Sequence, residues 1–284
     1  MELTLGVTLA VLGAGLLHAG WNALLKSAPG GDALLDTATV VAGSSVWGCL
    51  VAPLVGVPAS AAWPYMALSA VIHFGYYLTL AQAYRTGDLS FAYPLMRGSA
   101  PLIVALLGVV FLGELPTMPM ALGIALISLG IVSIALIPHG LRGHPHNAAY
   151  WAFANAGIIA IYTLVDASGA RASGNAAGYV SWLIFLEGLP FLIWVLWRRG
   201  PAAVRYVRAS AARGLIGGAC SLAAYGIVLW AMTQAPVAAV AALRETSVLF
   251  AALMGTLWLK EGTGLSRLAG AVSVVAGIAA LKLG

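Results

Sequence analysis

Apolar residues run through this chain in blocks of about twenty, the length that crosses about 30 Å of hydrocarbon at about 1.5 Å per residue. The blocks predict spans at Leu3–Leu25, Leu35–Val57, Trp63–Tyr84, Ser90–Leu112 and Met118–Ile137. Five more follow at Ala148–Ser168, Ala176–Trp197, Arg213–Thr233, Val237–Leu259 and Leu265–Leu283. Helix breakers separate them: Pro29-Gly30-Gly31, Pro58, Gly87-Asp88, Pro116, the stretch 138–147, Gly174, Gly200-Pro201 and Pro236. The expected fold is an all-α polytopic membrane protein with ten transmembrane helices.

One block departs from the pattern. Phe91–Glu114 carries Arg97 well inside its apolar run, between Pro94 and Pro101. An arginine at the centre of a spanning helix costs about 2.5–3.5 kcal/mol on insertion scales. Pro101 lacks the N–H that the carbonyl of Arg97 needs. Such groups are tolerated at depth where protein or a watery cavity covers them, so the block is expected to line a hydrated site.

The pattern then returns. Sliding the chain by 147 residues lays Arg97 on Arg244, Gly108 on Gly255, Glu114 on Glu261, Gly123 on Gly270 and Gly130 on Gly277, without a gap. Residues 1–137 and 148–284 thus read as two five-helix repeats joined by the linker 138–147. Five crossings are odd, so the second copy enters from the opposite face. The expected layout is two inverted repeats with a site near the membrane midplane. Each glycine pair lies two turns apart on one helix face, which predicts close packing of the fifth and tenth spans.

Composition agrees. The chain is 61% hydrophobic and 8% charged, with a mean hydropathy of +0.96. A soluble domain carries about 25% charged residues, so a water-facing surface is excluded. The net charge of +5 then concerns orientation and lipid headgroups, not nucleic acid. Lys26, Arg85, Arg142, Arg198, Arg199, Arg205, Arg208, Arg213 and Lys260 fall on one face; the other has little beyond Arg171 and Lys282. Positive-inside bias places the first face in the cytoplasm and both termini outside. The apolar run after Met1 has no small-residue cleavage site, so the first helix is expected to stay in the membrane. Cys49 and Cys220 read as buried free thiols, since neither has a neighbouring cysteine.

The candidate substrate-binding residues are the polar groups at depth. Arg97 and Arg244 could present cationic forks to a carboxylate or phosphonate. Glu187, mid-way along the seventh span, must be protonated or paired, which suits either a proton-coupling group or a salt bridge. Glu245 follows Arg244 by about 100° around a helix, so the two are expected to face different partners. His18 and Asn22 share a face of the first span beside Trp21. His73, Tyr76, Tyr77 and Trp230 are candidate wall residues, although each is also a reasonable packing residue. Asp166 is expected to approach Arg171 at a helix end, and Glu114 and Glu261 read as gate or packing elements. His139, His144 and His146 lack acidic or cysteine partners, so no metal and no cofactor are expected. Nucleophile elbows and phosphate-binding loops are absent from the sequence.

The segment AYPLMRGSAPLIVALLGVVFLGE and its echo AALRETSVLFAALMGTLWLKE resemble the EamA domains of the drug/metabolite transporter superfamily. LHAGWNALLK and IYTLVDASGARASG also resemble bacterial members. The resemblance spans two tandem domains and implies a ten-helix secondary transporter, not an enzyme, in a bacterial plasma (inner) membrane. Exporters of amino acids are among such relatives. It implies a small polar or amphipathic metabolite as substrate, protons as a possible coupling ion, and a monomer or weak homodimer in the lipid bilayer. It also implies both termini in the cytoplasm, against the charge bias. The alternatives are a sugar-phosphate or nucleotide-sugar carrier of the same superfold, a non-transporting assembly factor and an intramembrane enzyme acting on lipids.

Overall fold

The computed structural model describes residues 2–26, 32–86, 89–139, 146–251, 253 and 265–283. Among them the chain is helical throughout. The helices of the first half are α1 (Leu5–Lys26), α2 (Ala33–Val55), α3 (Trp63–Thr86), α4 (Leu89–Leu112) and α5 (Met118–His139). The second half holds α6 (His146–Ser173), α7 (Ala176–Arg199), α8 (Pro201–Ala209), α9 (Ala211–Gln234), α10 (Val237–Arg244) and α11 (Leu265–Lys282). Among the described residues seven helices are long and apolar enough to cross a membrane: α1, α2, α4, α5, α6, α7 and α9. α3 has 24 residues, about 36 Å, but His73, Gln82, Arg85 and its tyrosines dilute its hydropathy.

Polar side chains set the helix ends. The Asp32 carboxylate accepts the N–H groups of Leu34 and Leu35 at 3.0 and 3.4 Å and so starts α2. Asn175 accepts Gly178 N–H at 2.9 Å to start α7, while its amide donates to the Val55 carbonyl at 2.7 Å and closes α2. The linker expected between the seventh and eighth spans contains α8, a short helix with proline at its N-terminus. Tyr206 on α8 donates to Asp36 Oδ1 at 2.7 Å, and this hydrogen bond pushes the phenol's pKa up from its ordinary value.

Two faces follow from these contacts. Arg199 pairs with Asp32 at 2.7 Å, so the end of α7, α8 and the start of α2 share a basic face. Ala59 N–H donates to Ser173 O at 3.3 Å, which places the α2–α3 and α6–α7 connections on the opposite face. Both chain ends lie on that second face, where Lys282 Nζ donates to Leu3 O at 2.8 Å.

α5 and α11 cross antiparallel through the repeated glycines. A methyl added at Gly123 would sit 2.8 Å from Gly277 O, and one at Gly277 would sit 2.8 Å from Gly123 O. Gly130 and Gly270 oppose each other in the same reciprocal way, at 3.0 and 2.8 Å. Between the pairs, Ser273 Oγ donates to Leu126 O at 2.7 Å. α3 lies along α6 as α1 lies along α9, and α2 packs on α7.

Several expectations need correction. The ninth span is not one continuous helix: α10 ends at Arg244, and Glu245-Thr246 form a turn before helix resumes at 247. Backbone bonds there tighten to three-residue spacing, Glu245 N to Ala242 O at 3.1 Å and Thr246 N to Leu243 O at 3.2 Å. Cys49 is exposed and Cys220 half-buried, both as free thiols, because an apolar run in a membrane has a lipid-facing side as well as a core side. Asp166 does not meet Arg171, as described below. Glu261, Lys260, His144 and the side chains of His139 and His146 lie outside the described residues.

Candidate functional site

A cavity of about 220 Å³ lies between the halves, roughly midway along the helices and toward the basic face. Residues from the basic-face half of α1, α2, α3 and α4 contribute, as do the middles of α6, α7 and α9 and the end of α10. Of the residues singled out in the sequence, His18, Trp21, Asn22, His73, Tyr76, Tyr77, Arg97, Glu187 and Arg244 all line it. Toward the opposite face the apolar cluster containing Val7, Val11, Val104 and Leu243 takes over.

The charged centre is a trio. Arg97 is 5% and Arg244 5% exposed, while Glu245 is fully buried between them. Arg97 Nε lies 2.6 Å from Glu245 Oε2, and Arg244 Nε donates to Glu245 Oε1 at 3.3 Å. Arg244 and Glu245 therefore contact each other instead of facing different partners. The turn at Glu245-Thr246 is the cause, because helical 100° spacing ends at Arg244. Broken spans of this kind recur where membrane proteins line a polar cavity.

A second group sits across α3, α6, α7 and α9. His73 Nδ1 lies 3.2 Å from Glu187 Oε2 and 3.0 Å from Ser69 O, and its ring lies tilted against Tyr162 with 4.3 Å between centroids. Asp166 is fully buried and accepts hydrogen bonds from the Tyr179 hydroxyl at 3.0 Å and from the Tyr225 hydroxyl. Arg171 instead pairs with Glu114 at 2.7 Å, a full turn nearer the helix end. On α1, Trp21 Nε1 donates to His18 Nδ1 at 3.4 Å and Asn22 Nδ2 to His18 O at 2.7 Å, which fixes the His18 face expected from the four-residue spacing.

Several buried polar atoms lack hydrogen-bond partners among the described residues, among them Arg97 Nη2 and Glu187 Oε2, the latter within ion-pair distance of His73. Both belong to residues that line the cavity. Burying such atoms costs about 1–3 kcal/mol each, more when they are charged. Trp230 is not with them. It is 43% exposed, since α9 turns Tyr225 and Val228 to the cavity and Trp230 lies about 200° beyond Val228. Sequence reasoning missed Tyr84, Tyr93, Tyr162 and Tyr225, all in the wall. Tyr93 stands four residues before Arg97, one turn away on the same face, and that spacing could have found it. Among the described residues, no group of three histidines, cysteines or carboxylates could hold a metal ion.

Seven spanning-length apolar helices around a buried, charged cavity define a multi-pass α-helical integral membrane protein. Residues 146–283 match the model of the EamA-like transporter family. Residues 146–283 therefore form an EamA-like domain, consistent with a membrane transporter of the drug/metabolite transporter superfamily. A solved crystal structure, 18% identical, covers 98% of this chain and of its own with a TM-score of 0.77; this likeness bears on the fold alone. No curated protein matches the chain in sequence.

Proposed function

We propose that this chain moves a small organic anion or zwitterion, such as an amino acid, across a bacterial plasma (inner) membrane by alternating access. The moving parts are two inverted five-helix halves, residues 1–137 and 148–284. The antiparallel α5–α11 crossing and the paired contacts of α3 with α6 and α1 with α9 support that layout. Export is the direction that the resemblance to amino-acid exporters favours.

The observation that carries the substrate reading is that two residues of opposite sign line one cavity, Arg97 with an Nη2 that has no hydrogen-bond partner among the described residues and Glu187 with an Oε2 met by His73 but by no hydrogen bond. A carboxylate fits the guanidinium and an ammonium fits the Glu187 carboxylate, so a zwitterion would complete both. Tyr76, Tyr93 and Tyr162 supply hydroxyls and ring faces between them. Glu187 beside His73 is also the pair through which a proton could couple to transport. The geometry offers two guanidinium groups and no third cation among the described lining residues, which favours a single carboxylate over a diphosphate.

Counterflow in proteoliposomes over a panel of zwitterions and simple carboxylates tests this. Arg97→Gln should weaken every anionic ligand about 10- to 100-fold, the value of a lost charged hydrogen bond. Glu187→Gln should weaken zwitterions by a similar factor and leave simple carboxylates nearly unchanged. Equal losses for both ligand classes in both variants would remove the two-ended site, and no counterflow with any member of the panel would remove the substrate reading.

A further inference from the structure

We propose that Glu245 sets the charge of the group that the cavity accepts, holding it to a monoanion such as a carboxylate and against a dianion such as a phosphonate. The assignment presupposes that the anion binds at Arg97.

Arg97 and Arg244 occupy matching positions of the two sequence repeats and converge on one place. Alone they would form a doubly positive fork, the natural partner of a dianion. Glu245 converts it. Its two carboxylate oxygens are divided between the arginines, Oε2 at 2.6 Å from Arg97 Nε and Oε1 at 3.3 Å from Arg244 Nε. The residue is fully buried, so water does not screen either contact. The trio therefore carries a single net positive charge, and Arg97, a cavity-lining residue, keeps a buried Nη2 without a hydrogen-bond partner among the described residues. Glu245 itself is behind the arginines and outside the cavity wall. It acts on the ligand through the guanidinium groups, as a specificity-determining residue and not as a contact.

The two repeats cannot share this role. The position matching Glu245 in the first half is Gly98, where even a methyl would sit 2.7 Å from Val132 Cγ2 and 2.9 Å from Ser128 O. A carboxylate is thus excluded from α4 by the packing of α5. On the second half, the turn after α10 is what frees the Glu245 side chain to reach back toward Arg244. One carboxylate between two arginines is the arrangement that the packing permits.

The test uses benzoate and phenylphosphonate, which share a ring and differ in anionic charge. Binding of each to the full-length chain in detergent is measured by titration calorimetry at a pH of about 8.5, where a phosphonate, like a phosphate, has lost its second proton. The wild type should prefer benzoate. Glu245→Gln should shift the ratio of the two dissociation constants at least about tenfold toward phenylphosphonate, because the fork regains its second positive charge. Arg244→Gln should shift it the opposite way, and the double variant Arg244→Gln with Glu245→Gln should return it toward the wild-type ratio. Should Glu245→Gln alone fail to fold, Arg244→Gln and the double variant still differ only at position 245 and decide the same point. An unchanged ratio across either comparison overturns the role of Glu245 and leaves the anion site standing. Binding of neither probe by any form overturns the anion site itself, and the inference with it.

Discussion

Gly277→Leu should leave no folded, monodisperse protein after detergent extraction, and Gly277→Ala should fold with a lowered melting temperature. The reason is a contact between two backbones. A methyl at Gly277 would meet Gly123 O at 2.8 Å, Ile127 Cγ1 at 2.7 Å and Ile127 N at 3.0 Å. The Ile127 side chain can rotate, but the carbonyl and the amide cannot without moving α5. Overpacking of this kind costs about 1–3 kcal/mol when neighbours can shift. For a chain of this size each kcal/mol lowers the midpoint by about 2–4 °C, so alanine should cost several degrees. Leucine adds three more carbons against fixed atoms and should separate the helices. Because lipid is as apolar as leucine, close packing is the main force holding this pair, and no hydrophobic gain offsets the separation. Gly13→Ala and Gly108→Ala are the controls: a methyl at either meets nothing within 4 Å. They should melt at or slightly above the wild-type temperature, since alanine favours helix by up to about 1 kcal/mol. Size-exclusion profiles and thermal melts of the five proteins check the set. A Gly277→Leu protein that melts like the wild type would contradict the α5–α11 crossing.

That crossing was legible from the chain because the two glycine pairs repeat at a fixed offset and two turns apart. The arginines were legible for a similar reason, being charged positions inside apolar blocks. Helix rotation was not. In water, an amphipathic stripe tells which side of a helix is buried, but in lipid the core-facing and bilayer-facing residues are both apolar. Trp230 and Cys49 were misplaced on that account: each sits in an apolar run, and each turned out to face away from the protein interior. Glu245 failed differently. Its neighbours Leu243 and Ser247 give no proline or glycine to announce a break, and the turn forms where Arg97 on α4 and Arg244 compete for the same carboxylate. The Asp166 site is likewise a tertiary product, since its donors Tyr179 and Tyr225 come from α7 and α9. Periodicity within one helix carries no trace of such a partner.

The second large effect is expected at the face that holds the chain ends. Here Glu114, just beyond α4, and Arg171, at the end of α6, clamp the junction between α9 and α10. Glu114 Oε1 lies 2.7 Å from Arg171 Nη2, and Glu114 Oε2 accepts the N–H of Val237, the first residue of α10, at 2.7 Å. Arg171 Nε donates to Met232 O at 2.9 Å and Nη2 to Ala235 O at 3.3 Å, both at the end of α9. The cavity lies toward the other face, so under alternating access this clamp must release when the cavity turns round. Arg171→Ala removes the ion pair and both carbonyl bonds at once, worth about 2–4 kcal/mol for a partly buried charged group. Opening on this face should rise accordingly, by tenfold for each 1.4 kcal/mol or so. Val240, fully buried one turn into α10, is the reporter position. In a background with Cys49 and Cys220 replaced by serine, the Val240→Cys thiol should react with a water-soluble maleimide at least about tenfold faster when Arg171→Ala is added. The charge-swapped pair, Glu114→Arg with Arg171→Glu, should fail to restore protection. An arginine at 114 cannot accept the Val237 N–H, and a glutamate at 171 cannot donate to the α9 carbonyls. A swap that protects Val240→Cys as well as the wild type does would reduce the clamp to a simple ion pair, and an unchanged rate in Arg171→Ala would rule it out as the closure of this face.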